Sequence, residues 1–320
     1  MHMTPGHEVP ADLQVVTTGL RFPEGPVALP DGDVLVVEIA RGTLTRVAPN
    51  GSQTVVAELG GGPNGAAIGP EGACYVCNNG GFKWHEDDFG LRPAGQAEDY
   101  AGGSIQRVDL QTGRFETLYT HGGGHRLCGP NDIVFDRQGG FWFTDPGKRR
   151  ARDEDRGGVY YATPDGRFIR EAIYPLNHPN GIGLSADEQT LYVSETQTGR
   201  VWAYDISSPG QVRLGKDYPN GGRLLAGLPG FELLDSLKVD SQGQVCVASP
   251  YGDAIVVVAP GGGVVRYVGM PDRLPTNLCF GGPDLRTAHV TLCQRGTLVR
   301  LRWSVPGLRL NYQSLANHGP

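Results

Sequence analysis

The chain has 320 residues, with 28 Lys+Arg against 34 Asp+Glu and a formal net charge of −6 that no block of like charges produces. Phosphate recognition needs a concentrated basic face, so nucleic acid is excluded as a partner, and no run approaches the roughly 18–20 apolar residues that span a bilayer. Six cysteines over this length make no disulfide scaffold, and residues 1–10 are polar without an apolar leader core, which together give the expectation of a cytoplasmic chain with no membrane partner.

Glycine at 49 and proline at 24 fit an all-β chain with many tight turns, because the apolar residues alternate on a schedule that disordered chains lack. A strand is expected at 13–20. At Glu24 a unit begins: a polar opener, a short apolar strand, a Pro-Asp-Gly turn and a valine-rich second strand. The unit recurs from Asn64, Asn131, Asn180, Asp235 and Asn277. These openers lie 40, 67, 49, 55 and 42 residues apart, against roughly 40–50 for a four-stranded propeller blade. Eight residues after the opener stands Gly32, Gly72, Gly139 or Gly243, with Glu188 and Leu285 in two copies whose turns are expected to be built differently.

Third strands are expected at 42–47, 103–109, 158–162, 199–204, 253–259 and 296–301, with fourth strands after the next turns and little helix. The fold class is an all-β six-bladed propeller of four-stranded antiparallel blades, read as a single domain over 1–320. The strand at 13–20 is expected to close the ring beside 296–303 and so hide the last edge.

The widest spacing leaves an insertion at about 79–102 that carries Phe82, Trp84, His85, Glu86 and Phe89. Long loops in compact domains are commonly functional, and this one reads as a lid over one mouth of the channel. Cys74 and Cys77 form a C-x-x-C, but residues three apart on a strand point to opposite faces, so packed thiols are expected. Lys148-Arg149-Arg150 is the one basic run and reads as a solvated loop. Gly60-x-Gly62-x-x-Gly65 leads into a strand rather than a helix, and His85-Glu86 lacks the second histidine of a zinc motif. His121, His125 and His178 sit on loops near openers.

In a propeller the innermost strands line the channel, so the openers Glu24, Asn64, Asn131, Asn180, Asp235 and Asn277 form a ring. Two carboxylates and four amides are hard oxygen donors, suited to Ca²⁺, Mg²⁺ or Mn²⁺. The same residue types also cap turns through their own backbone, which accounts for the asparagines but poorly for Glu24. From the residues alone both readings stand.

Phe-Pro-Glu-Gly-Pro at 22–26, Gly-Pro-Asn-Asp-Ile-Val-Phe-Asp at 129–136 with Phe-Trp-Phe-Thr-Asp-Pro after it, Pro-Asn-Gly-Ile-Gly-Leu-Ser at 179–185, and Asp235-Ser236 resemble the SMP-30/gluconolactonase/LRE family in motif and order. The resemblance implies a six-bladed propeller with one divalent metal in the channel, Ca²⁺ being favoured over Mg²⁺, Mn²⁺ or Zn²⁺. It implies Glu24, Asn180 and Asp235 as metal ligands and Asn131 as a fourth ligand or substrate contact.

The implied activity is hydrolysis of a small-molecule lactone by a monomer or small homo-oligomer. The metal would polarise the carbonyl, Asp235 would assist the attacking water, and Asn64 and Asn131 would orient substrate oxygens. The same four positions match diisopropylfluorophosphatase-type phosphotriesterases, which keeps that activity as an alternative beside a non-catalytic ligand-binding propeller. One departure stands out: where animal-type sugar lactonases place an arginine, two residues before the third opener, this chain has Gly129. His125 or Arg126 is expected to substitute, with Trp84 in the lid also contacting substrate.

Overall fold

In a computed structural model that describes residues 7–315, six antiparallel sheets follow one another along the chain. The stretch before residue 7, part of the polar N-terminus noted above, lies outside the described residues. Blade I is Pro23–Ala28, Val34–Glu38, Thr43–Val47 and Gln53–Glu58. Blade II is Pro63–Ile68, Cys74–Asn78, Ser104–Val108 and Phe115–Tyr119, and blade III is Ile133–Phe135, Phe141–Asp145, Gly157–Ala162 and Ile169–Leu176. Blade IV is Pro179–Leu184, Thr190–Glu195 and Arg200–Ser208, whose outer edge is shared by two short strands, Gln211–Arg213 and Arg223–Gly227. Blade V is Leu237–Val239, Val245–Ser249, Ala254–Val258 and Val264–Gly269.

Blade VI takes three strands from the C-terminal part, Pro275–Gly281, Thr287–Leu292 and Thr297–Arg302, and its fourth from the N-terminal part, Gln14–Thr17. Val15 pairs with Val299 and Gln14 with Arg300, so the ring closes as the sequence implied and the last blade's edge is covered. Among the described residues helix is confined to two short 3₁₀ turns.

The core is distributed. Alternate side chains of each sheet point to opposite faces and meet those of the neighbouring blade, giving six inter-blade clusters instead of one centre. Cys74 belongs to the cluster between blades I and II, and Cys77 to that between II and III. Both are buried free thiols on opposite faces. Each fully buried Val, Leu or Ile here contributes about 1.5–3 kcal/mol.

The repeated turn proves more uniform than its sequence. Gly32, Gly139 and Gly243 take the left-handed conformation, and Glu188 and Leu285 take it too, at φ 57° and 54°. The two exceptional copies therefore keep the same backbone step and accept its strain, roughly 1–2 kcal/mol for a residue with a side chain.

The two channel mouths differ. The far end is crossed by the C-terminal segment: Leu308 N–H donates to Val239 O at 3.0 Å, Asn311 Nδ2 to Phe135 O at 3.1 Å, and Gln313 Nε2 to Ala28 O and Phe280 O at 3.1 Å. One strap thus ties the inner strands of blades I, III, V and VI. At the other end the insertion forms a two-stranded ribbon, Phe82–Asp87 paired with Gly90–Gln96.

Candidate metal centre and cleft

The openers converge because the residue after several of them is glycine. A Cβ on Gly25 would stand 2.5 Å from Asn64 O, and one on Gly65 would fall on Asn131 O, so adjacent inner strands touch backbone to backbone there. At the seam of blades IV and V, where a Cβ on Gly181 would likewise stand 2.4 Å from Leu237 N, side chains add to the contact. Ser194 Oγ donates to Asp235 O at 2.6 Å and accepts from Gly181 N–H at 2.8 Å, and Ser236 Oγ reaches Asn180 Oδ1 at 3.4 Å.

Glu24 is buried at this centre. Its Oε2 accepts from Gly25 N–H at 2.6 Å and from Asn277 Nδ2 at 2.8 Å. Burial raises its pKa to about 7 against those two bonds. Asp235 is raised well above the carboxylate range, first by burial and then by the charge of Glu24. Asp235 is half-buried. Asn131 is buried with its Oδ1 unpartnered among the described residues. Asn180 is buried, with Nδ2 spent on Thr196 Oγ1 at 3.2 Å.

Two carboxylates of which one raises the other's pKa, together with a ring asparagine whose carbonyl oxygen is unpartnered among the described residues, are the chemistry that a hard divalent cation fits, since it would neutralise the former and partner the latter. Among the described residues no three His, Cys, Asp or Glu side chains gather, so the mixed carboxylate–amide set carries this fit alone.

Asn277 is a ring member of another kind. Its amide hydrogen goes to Glu24, while its Oδ1 accepts from Leu278 N–H at 2.8 Å and Lys238 Nζ at 3.3 Å. Lys238 in turn pairs with buried Asp132 at 3.2 Å. This Asp132–Lys238–Asn277 layer escaped the sequence reading. A signal was present: three residues after the opener, Lys238 is the one charged residue where the other copies have Val27, Ala67, Val134, Gly183 and Phe280.

A cleft of about 920 Å³ opens over Asn64, Asn131 and Asn180 on the insertion side. Its walls include Phe82, 93–97 of the ribbon, Gly129, Lys148 and His178. His178 is mostly buried, its Nε2 has no hydrogen-bond partner, and burial lowers its pKa. His125 and Arg126 do not line this cleft: both are exposed on a two-residue ribbon against His121–Gly122. Trp84 is likewise absent from the lining and lies against Phe22 and Phe82, with ring centroids 5.0 and 5.8 Å away. Lys148 reverses the expectation of a solvated run. It is 4% exposed, with Nζ donating to Gly81 O at 3.2 Å and lying over the rings of Phe82 and Tyr100. Arg149 and Arg150 do stay at the surface, paired with Glu154 and with Asp153 and Asp155.

A closed six-bladed propeller with an oxygen-lined channel and one open mouth defines the structural class. Residues 22–294 match the model of the SMP-30/gluconolactonase/LRE-like region, and the chain belongs to that family. It is 28% identical to the gluconolactonase of Zymomonas mobilis, over 86% of this chain and 77% of that protein. It is 30% identical to the lactonase drp35 of Staphylococcus aureus over 77% of this chain and 68% of that one. The diisopropyl-fluorophosphatase of Loligo vulgaris is 28% identical over 60% of this chain and 63% of its own. Among solved structures, a gluconolactonase from Xanthomonas campestris superposes with a TM-score of 0.71 at 23% identity, covering 92% of this chain and 89% of that one. The calcium-binding protein regucalcin from Agrobacterium tumefaciens gives 0.69 at 17% identity, covering 93% and 99%. At those identities the two structures speak for the fold alone.

Proposed function

We propose that this protein is a lactonase of the gluconolactonase type that holds one divalent metal, Ca²⁺ by preference, between Glu24, Asn131, Asn180 and Asp235. The observation that carries this reading is Asp235 held in the charge of Glu24 while the buried ring member Asn131 leaves its Oδ1 unpartnered among the described residues. Relatives named for lactone hydrolysis supply the reaction class. When bound, the ion supplies positive charge that polarises the carbonyl and offsets charge developing on its oxygen.

The chain's own groups do the rest. Asn64 and Asn131 hold the substrate's oxygens at the cleft floor, and the ribbon wall limits water. Asp235 takes a proton from the attacking water as the new C–O bond forms. The ring C–O bond then breaks and that proton goes to the departing ring oxygen, leaving a hydroxy acid. As a ligand Asp235 is a weak base, so it acts through its placement.

The test is turnover of gluconolactone and of diisopropyl fluorophosphate by one preparation, with and without chelator, for wild type, Glu24→Gln and Asp235→Asn. Lactone turnover that the chelator abolishes and that both variants reduce at least about a hundredfold supports the reading. Turnover of the fluorophosphate alone would favour the phosphotriesterase. Folded variants with unchanged turnover would exclude catalysis at this centre.

A further inference from the structure

Lys148 is a buried ammonium in the wall of the cleft, and its charge has no carboxylate within ion-pair distance among the described residues. Its neighbours in sequence, Arg149 and Arg150, have theirs. One of its three N–H groups is used, on Gly81 O. The faces of Phe82 and Tyr100, 4.5 and 5.0 Å from Nζ, compensate only part of the lost hydration. Burial pulls its pKa down to about 8, outweighing Asp145 and Asp155, which act on it through space from beyond ion-pair distance, and no carboxylate of the described residues bonds this ammonium directly. At the metal centre the charge count closes without it, two carboxylates against one divalent ion.

Gly129 explains why the lysine reaches this place. A Cβ there would lie 3.6 Å from Lys148 Cε and 3.0 Å from Gly147 O. A long side chain at 129 would occupy the volume that the lysine stem now fills. The cation of this wall therefore enters from the turn after the second strand of blade III and not from the segment before Asn131.

We propose that Lys148 is the substrate-recognition cation of the cleft, and that the preferred substrate is a lactone bearing a second, free carboxylate, which pairs with Nζ while the lactone carbonyl lies at the amide floor. This inference rests on the hydrolase reading of the same cleft. A neutral sugar lactone fills the floor and leaves the ammonium unpaired; an acidic one satisfies both ends. Tyr100 keeps the arrangement rigid, since its hydroxyl donates to Cys128 O at 2.6 Å.

The experiment compares kcat/KM for glucarolactone and gluconolactone in wild type, Lys148→Met and Lys148→Arg, at low and high salt. Wild type is expected to favour the acidic lactone, and K148M to cost that substrate about ten- to a hundredfold more than the neutral one. K148R should restore part of the preference, and salt should raise KM for the acidic lactone alone. Equal losses on both lactones in K148M would show a clamp holding the ribbon and overturn the proposal, as would a wild type indifferent to the carboxylate. If wild type opens neither lactone, the hydrolase reading fails; calorimetric titration with glucarate and gluconate then decides the inference separately, a lack of K148-dependent preference for glucarate sinking it.

Discussion

Asn277 gives its amide hydrogen to Glu24 Oε2 at 2.8 Å across the seam where blade VI meets blade I, 253 residues apart in the chain. The bond joins the last opener of the repeat to the first. Glu24 is thereby aimed by a residue that spends its own oxygen on Leu278 N–H and Lys238. Outer partners of this kind commonly change metal affinity by ten- to a hundredfold. Asn277→Ala is expected to weaken Ca²⁺ binding by about that factor while leaving the lactone preference intact. Calorimetric titration of the metal-free protein measures it. Unchanged affinity would mean that Glu24 needs no such support.

Why the ring was legible and its support was not follows from where each signal is written. Glu24, Asn131, Asn180 and Asp235 recur at a fixed place in a local pattern, so counting along the chain finds them. Asn277 occupies the same register, and only coordinates distinguish a residue that would hold a cation from one that orients its neighbour. Lys148 is harder still. Its burial depends on Gly81, Phe82 and Tyr100, tens of residues upstream, which no periodicity relates to it. Arg126 looked the better candidate because proximity in sequence was the only distance available. The insertion was legible as an excess of residues between two openers; that it is a ribbon was not, since its strands are short and mixed in character.

The carboxylates also set a pH dependence whose sign can be worked out. Burial raises Glu24 from 4.5 to about 7 in the metal-free fold, and Asp235 moves in the same direction. The folded state therefore binds more protons than the unfolded one as pH rises from 4.5 to about 7, and stability falls across that window, by at most about 1.4 kcal/mol per pH unit for each group. A bound cation favours the charged forms and should flatten the slope. Urea unfolding with chelator and with Ca²⁺ at stepped pH reads this directly. Glu24→Gln should lack its share of the chelator-dependent slope; parallel curves for wild type and variant would refute the assignment.

Gly65 tests the convergence of the inner strands. An added methyl would land on the Asn131 carbonyl, a backbone atom that cannot step aside without moving a proposed ligand. Gly65→Ala is expected to cost about 1–3 kcal/mol by overpacking and also to weaken the metal site. Gly261→Ala is the control, because its Cβ would meet nothing within 4 Å. A G65A protein that melts earlier yet binds metal as wild type does would separate packing from the site and contradict the link.

The ribbon offers a choice between two anchors. Arg21 grips Glu86 with two bonds of 2.7 and 2.9 Å, but both side chains are exposed, and such a pair is worth about 0–1 kcal/mol. Trp84 instead packs with Phe22, Phe82, Leu91 and Cys293 in a small apolar cluster that joins the ribbon to the strand entry before Glu24. Losing a large aromatic from such a cluster costs roughly 3–5 kcal/mol when fully buried, and less here because Trp84 is half-buried. Packing should therefore dominate. Trp84→Ala is expected to raise KM about three- to tenfold with a smaller fall in kcat, and to open 79–102 to limited proteolysis, whereas Arg21→Ala should change KM less than about twofold. Should the two variants prove equal, the ion pair and not the aromatic cluster fixes the wall of the cleft.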